Sequence, residues 1–158
     1  FYSSIGKLNE IEFSDDCFIS DSILPTKVGY GDGMSIIISD FLTDNDYEQA
    51  LDYLVSKRRD LFCFQVLSKE ELKPTIRGKV HFYDSEDNNM QYRKNINKDV
   101  TTAYNKALEY TINRIKKYCN SRETQYLLAP SNLSVSEIFL KILPEMGVLK
   151  WVLTILLV

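Results

Sequence analysis

Seven consecutive residues, Leu61 to Leu67 (LFCFQVL), carry six apolar side chains and one glutamine. Successive side chains of a strand point to opposite faces, so this run is apolar on both. A strand of that kind is buried only in a sheet covered above and below. Such sheets are parallel, because their crossover connections supply the covering helices. The run therefore commits the chain to an α/β architecture before any other segment is read.

The flanking segments agree with it. MSIIIS, Met34 to Ser39, is a second apolar strand, led in by the glycine-rich turn GYGDG (Gly29, Gly31, Gly33) and followed by Asp40. Its apolar content predicts a central place in the sheet. Asn45 with Glu48 three residues on forms a capping-box pattern, and Tyr47, Ala50, Leu51, Leu54 and Val55 then make one apolar helical face. IRGKVHFYD and MQYRKNI, separated by the polar turn SEDNN, predict an inserted β-hairpin. Asn97 caps a long helix to about Cys119, with Val100, Ala103, Tyr104, Ala107, Leu108, Thr111, Ile115 and Tyr118 at helical spacing. QYLLAP is a third strand. SNLSVSEIFLKIL is a last helix, capped by Ser134 with Glu137 and ended by Pro144. Near the amino terminus, Phe1, Ile5, Leu8 and Ile11 mark a first helical stripe, and Pro25 stops any helix in the segment SDDCFISDSILPTK. The alternation predicts a Rossmann-like parallel sheet with helices on both faces and right-handed crossovers. Three parallel strands make a narrow sheet, which leads to the expectation of further amino-terminal strands preceding Phe1.

With 158 residues, 44% hydrophobic and 26% charged, the chain is globular and long enough for one domain, assigned to residues 1–150. A formal charge of −3 gives no reason to expect a nucleic-acid partner. The cluster Lys57, Arg58, Arg59 is read as a solvated helix end complementing the macrodipole. Cys17, Cys63 and Cys119 lack metal spacing and are read as buried free thiols. His81, the single histidine, is read as a half-exposed strand residue. WVLTILLV, residues 151–158, is too short to span a bilayer, which needs about 20 residues. It is expected to lie outside the domain, as the start of a transmembrane segment or a remnant of truncation.

Taken with the order of elements, IIISDFLTDND resembles the bacterial domain-of-unknown-function 58 proteins, which carry a von Willebrand factor A-like domain. There a hydrophobic strand ends in Ser-Asp-Phe, as Ser39, Asp40 and Phe41 do here. A helix, a strand, a glycine-containing hairpin, a long helix and a closing strand and helix come after it. The resemblance spans nearly all of residues 1–150 and implies a non-enzymatic interaction or assembly module. It implies a metal-ion-dependent adhesion site holding Mg2+ at the carboxyl end of the sheet, where hard oxygen ligands suit that ion. Asp40 matches one ligand of that site, and Ser20, in Ser20-Asp21, stands where the family often has a threonine ligand. The family's Asp-x-Ser-x-Ser loop is absent from this chain, so this fragment is expected to bind Mg2+ poorly. The resemblance further implies a MoxR-type AAA ATPase as protein partner, and a place in the cytoplasm or at the cytoplasmic face of the membrane.

Other readings stand beside it. Asp40 is equally suited to turning the chain after its strand. DSEDNN lacks the glycine and terminal glutamate of a calcium loop, and GYGDG precedes a strand, the wrong context for a dinucleotide fingerprint. A metal-free scaffold is one alternative. The other is a Rossmann-like Mg-dependent hydrolase or phosphotransferase using Asp40, with Ser68 and Ser131 as the nearest hydroxyl candidates.

Overall fold

The structure, a computed structural model, describes residues 2–10, 19–23, 31, 33–42, 47–83 and 91–148. Two short helices, α1 (Tyr2–Asn9) and α2 (Ile19–Ser22), precede β1 (Met34–Ser39), α3 (Tyr47–Ser56) and β2 (Asp60–Leu67). After α4 (Lys69–Leu72) come β3 (Gly78–Tyr83), β4 (Gln91–Ile96), α5 (Lys98–Ser121) and β5 (Gln125–Pro130). A final helical segment joins α6 (Val135–Glu137), a π turn (Ile138–Ile142) and α7 (Leu143–Glu145).

β1, β2 and β5 form a parallel sheet in the order β1-β2-β5, while β3 and β4 pair antiparallel as a separate hairpin. The doubly apolar run is the central strand, as its composition demands. Leu61 and Cys63 face α3 and α5, packing with Leu51, Leu54, Ile115 and Cys119. Phe62 and Phe64 face the other way, toward Leu143 and Ile138 of the closing helical segment. Burying each such side chain stabilises the fold by ~1.5–3 kcal/mol, and β2 contributes on both faces. The fold is thus α/β, a parallel sheet whose central strand is covered on both sides, compatible with a Rossmann-like arrangement.

β1 departs from expectation. Among the described strands it lies at an edge, not in the centre. Register pairs Ile36 with Phe62 and Ile38 with Phe64, yet Ile36 is 53% and Ile38 71% exposed. The closing helical segment covers β2 on that face and leaves β1 bare. Apolar sequence alone does not say which strand receives the cover.

Helix boundaries obey local chemistry. Asn97 Oδ1 accepts the Val100 N–H at 2.9 Å and starts α5, and Ser134 Oγ accepts that of Glu137 at 3.1 Å. α5 has 24 residues, ~36 Å at 1.5 Å each, against ~20 Å for a six-residue strand. Its amino-terminal half therefore overhangs the sheet. Leu108, Ile115, Tyr118 and Cys119 are buried, whereas Val100 and Tyr104, expected on the same stripe, are exposed.

Pro144 does not end the last helix. The preceding turn widens, so that Leu143 N–H reaches back five residues to Ile138 O. This loosened backbone accommodates a residue with no N–H of its own. The stop comes at Gly147, whose φ of +73° permits a Schellman closure. Val148 N–H bonds Leu143 O at 3.0 Å, and Gly147 N–H bonds Pro144 O at 2.9 Å.

The basic cluster is more than a solvated helix end. Lys57 lies over the Tyr53 ring, but Arg59 donates to Ser35 Oγ at 2.8 Å and Met34 O at 3.0 Å, clamping the start of β1. Cys63 and Cys119 are buried free thiols, as expected, and Cys17 lies outside the described residues. So do the Asn45 cap, the SEDNN tip and the segment 151–158. Among the described residues no helix is long and apolar enough to cross a membrane.

Candidate functional site

The carboxyl ends of the three parallel strands carry Asp40, Ser68 and Ser131. They are not level. Ser39, the last residue of β1, pairs with Gln65, whereas β2 and β5 run on together to Leu67 and Pro130. Two residues at ~3.3 Å each set the β1 tip ~7 Å below its neighbours. Asp40 thus sits on a step beside the side of β2.

Side chains hold that step in place. Ser39 Oγ accepts the Phe41 N–H at 3.1 Å, and Asp40 Oδ1 accepts the Leu42 N–H at 3.0 Å. Both are short-range side-chain-to-backbone bonds of the kind that turn a chain at the end of a strand. Between them Phe41 takes φ +53° with its side chain wholly buried. A left-handed backbone at a bulky residue costs about 1–2 kcal/mol and persists only where the surroundings enforce it. Here the enforcing contact is with Tyr47, whose ring meets that of Phe41 edge-on at 5.3 Å.

Gln65 is the only buried polar residue among the described ones. Its Nε2 donates to Asp40 O at 2.7 Å, and its Oε1 accepts the Tyr126 hydroxyl at 2.8 Å. One amide thereby ties the tip of β1 to β5 across the central strand. Burial pushes the Tyr126 hydroxyl up to about 12 and raises that of Tyr47 as well, so both remain protonated at neutral pH. The buried Tyr47 hydroxyl has no hydrogen-bond partner among the described residues. Phe41 with its left-handed backbone and Tyr47 thus pack together just after the β1 tip.

Of the residues singled out from sequence, Asp40 is exposed at this step with its carboxylate oriented by Leu42. Ser20 is exposed on α2, whose neighbours Ile19 and Ile23 pack against the core cluster that contains Phe41 and Tyr47. Among the described residues no group of three or more His, Cys, Asp or Glu side chains converges as a metal site. One carboxylate with one oxygen already engaged does not furnish the octahedral set of oxygens that Mg2+ requires. The described residues of this chain do not by themselves fit the ion.

Of the two hydroxyl candidates, Ser68 has other employment. Ser68 Oγ accepts the Glu71 N–H at 3.1 Å while Glu71 Oε2 accepts the Ser68 N–H at 2.6 Å, a reciprocal capping box opening α4. The Ser131 N–H bonds Leu67 O at 2.9 Å, carrying the β2–β5 ladder one residue further, and the Leu133 N–H closes the turn after β5 on Pro130 O at 2.9 Å. His81 is half-buried on β3, its Nδ1 3.2 Å from the Tyr83 hydroxyl. The hairpin carries it, not the strand tips.

Sequence pattern does not single out Gln65, Phe41 or Tyr126 as parts of this site. Gln65 has a signal, as the single polar residue in an apolar run; Phe41 enters only through the Ser-Asp-Phe resemblance, and its burial and left-handed backbone have none. Comparison with protein-family models, with curated proteins and with solved structures finds no match.

Proposed function

We propose that this chain is part of a von Willebrand A-like protein-interaction module in which Asp40 supplies one oxygen to a divalent-ion site completed by residues outside this sequence. The placement of Asp40 carries the reading. Open parallel sheets bind ligands beyond their strand carboxyl ends, and Asp40 stands there, its carbonyl clamped by Gln65 and its carboxylate turned by Leu42. A fixed carboxylate loses little side-chain freedom on binding a metal. The bare stripe Met34, Ile36 and Ile38 supports the same reading, because a further strand with its covering helix would bury it.

On this reading Asp40 would hold one coordination position of a Mg2+ ion, and the ion would supply a hard Lewis-acidic site for an acidic group of a protein partner. The engagement of Ser68 in a cap weighs against the hydrolase or phosphotransferase alternative. A MoxR-type AAA ATPase is the partner the family resemblance suggests, with the module in the cytoplasm or at the cytoplasmic face of the membrane. The test is co-purification of a chain extended upstream of Phe1 with that ATPase, in Mg2+ and in EDTA. Recovery in Mg2+ alone, lost on Asp40→Ala, supports the proposal. Recovery indifferent to EDTA and to Asp40→Ala makes the module a metal-free scaffold.

A further inference from the structure

At the root of the hairpin the structure holds a cleft of about 280 Å3. Four segments build it, with Glu70 and Glu71 of α4 forming one wall. Pro74 and Ile76 come from the linker after α4, Phe82 and Ile96 from the hairpin, and Val100 and Tyr104 from the overhanging start of α5. Phe82 and Ile96 share one face of the hairpin, since the register pairs Phe82 with Tyr92 and Gly78 with Ile96. Ile76 is 47%, Val100 43%, Phe82 39% and Tyr104 38% exposed. Four large apolar side chains thus stand half in water around one depression, the arrangement that anchors a partner's side chain.

Size and charge narrow the occupant. At about 280 Å3, and lined by Pro74, Ile76, Phe82, Ile96, Val100 and Tyr104, the cleft has room for a bulky apolar side chain. The only ionisable carboxylates on its lining are Glu70 and Glu71, and no Lys, Arg or His lines it among the described residues. The wall that carries them is held in place: Glu71 is fixed by the capping box, and Tyr104 donates its hydroxyl to Glu71 O at 3.1 Å. Phosphate-bearing ligands meet the wrong sign there.

We infer that this cleft docks an extended segment of a protein partner, which inserts one bulky apolar side chain and sets a neighbouring Lys or Arg against Glu70 and Glu71. The site is independent of the metal proposal: it uses neither Asp40 nor a divalent ion.

The probes are two amidated pentapeptides, Gly-Lys-Trp-Lys-Gly and Gly-Glu-Trp-Glu-Gly, titrated into the whole chain without divalent ions and followed by amide NMR shifts. The lysine peptide should move the amides of Ile76, Phe82, Ile96, Val100 and Tyr104. The glutamate peptide should bind about tenfold more weakly, the effect of reversing two exposed charge pairs. Glu70 is exposed, so Glu70→Lys should leave the fold intact; with Glu71 still in place it brings the wall to zero net charge and should abolish the preference, while Val100→Glu should abolish the shifts with circular dichroism unchanged. Equal affinity for the two peptides, a preference unmoved by Glu70→Lys, or no shifts at the cleft with either peptide would overturn the inference.

Discussion

Replacing Gln65 with methionine keeps the length of the side chain and removes both of its hydrogen bonds. Asp40 O loses a donor at 2.7 Å and the Tyr126 hydroxyl an acceptor at 2.8 Å. Leaving a desolvated group unpaired costs ~1–3 kcal/mol. Asp40 is exposed and Tyr126 only half-buried, so water recovers part of each loss, and ~1–1.5 kcal/mol apiece is the appropriate range. Gln65→Met should therefore destabilise the protein by about 2–3 kcal/mol, lowering the midpoint of thermal unfolding by ~4–12 °C for a chain of this size. In urea the midpoint should fall with the slope unchanged. Tyr126→Phe alone should cost about 1 kcal/mol, and the double variant should cost about 1 kcal/mol less than the sum, because one bond is counted twice. A Gln65→Met penalty below ~0.5 kcal/mol, the size of an ordinary surface change, or strict additivity of the pair, would refute the idea that Gln65 holds the β1 tip to β5.

At Phe41 the usual ranking of small residues should invert: Phe41→Gly should be about 1 kcal/mol more stable than Phe41→Ala in urea unfolding, since only glycine is unstrained at φ +53°; equal stabilities would deny the strain. The hydrogen bonds from Arg122 and then Tyr118 hold the Asp52 carboxyl below its ordinary range. The resulting stability is present above the unfolded value near 3.8 and is lost as pH falls through the depressed folded value. Asp52→Asn should flatten that part of an acid-unfolding profile, by under ~1 kcal/mol because the pair is exposed. The Tyr126 hydroxyl, raised by burial to about 12, contributes stability that is full below the unfolded value of 10 and lost as pH climbs through 12; Tyr126→Phe should remove this alkaline dependence of the urea midpoint.

Features that depend on neighbours along the chain are legible in the sequence. The strand Leu61–Leu67, the Asn97 and Ser134 caps and the hairpin all rest on local pattern, and all are present. Ser68-Lys69-Glu70-Glu71 is also a capping box, but the four-residue helix it opens has no apolar periodicity to draw attention to it. Features that depend on the third dimension are not legible. The exposure of Ile36 and Ile38 results from where the closing helical segment lands, and the overhang of α5 from the mismatch of helix and strand lengths. The π turn that admits Pro144 has no signature in composition. Gln65 is visible as an oddity within its run, yet its two partners lie 25 residues before it and 61 after it. Only the register of β1, β2 and β5 brings them together.

Whether Asp40 is a metal ligand or merely a turn residue is decided most directly by divalent-ion titration. Mn2+, read by its electron paramagnetic resonance signal, should be titrated into a chain extended upstream of Phe1, both wild type and Asp40→Asn. Asparagine retains an oxygen to accept the Leu42 N–H that Asp40 Oδ1 now accepts, so the turn survives while the charge is lost. A ligand role for Asp40 predicts saturable binding by the wild type, displaced by Mg2+ and weakened at least about tenfold in Asp40→Asn, the factor that ~1.4 kcal/mol of lost ligand energy represents. Equal binding by the two proteins would contradict it and leave Asp40 as the residue that turns the chain after β1.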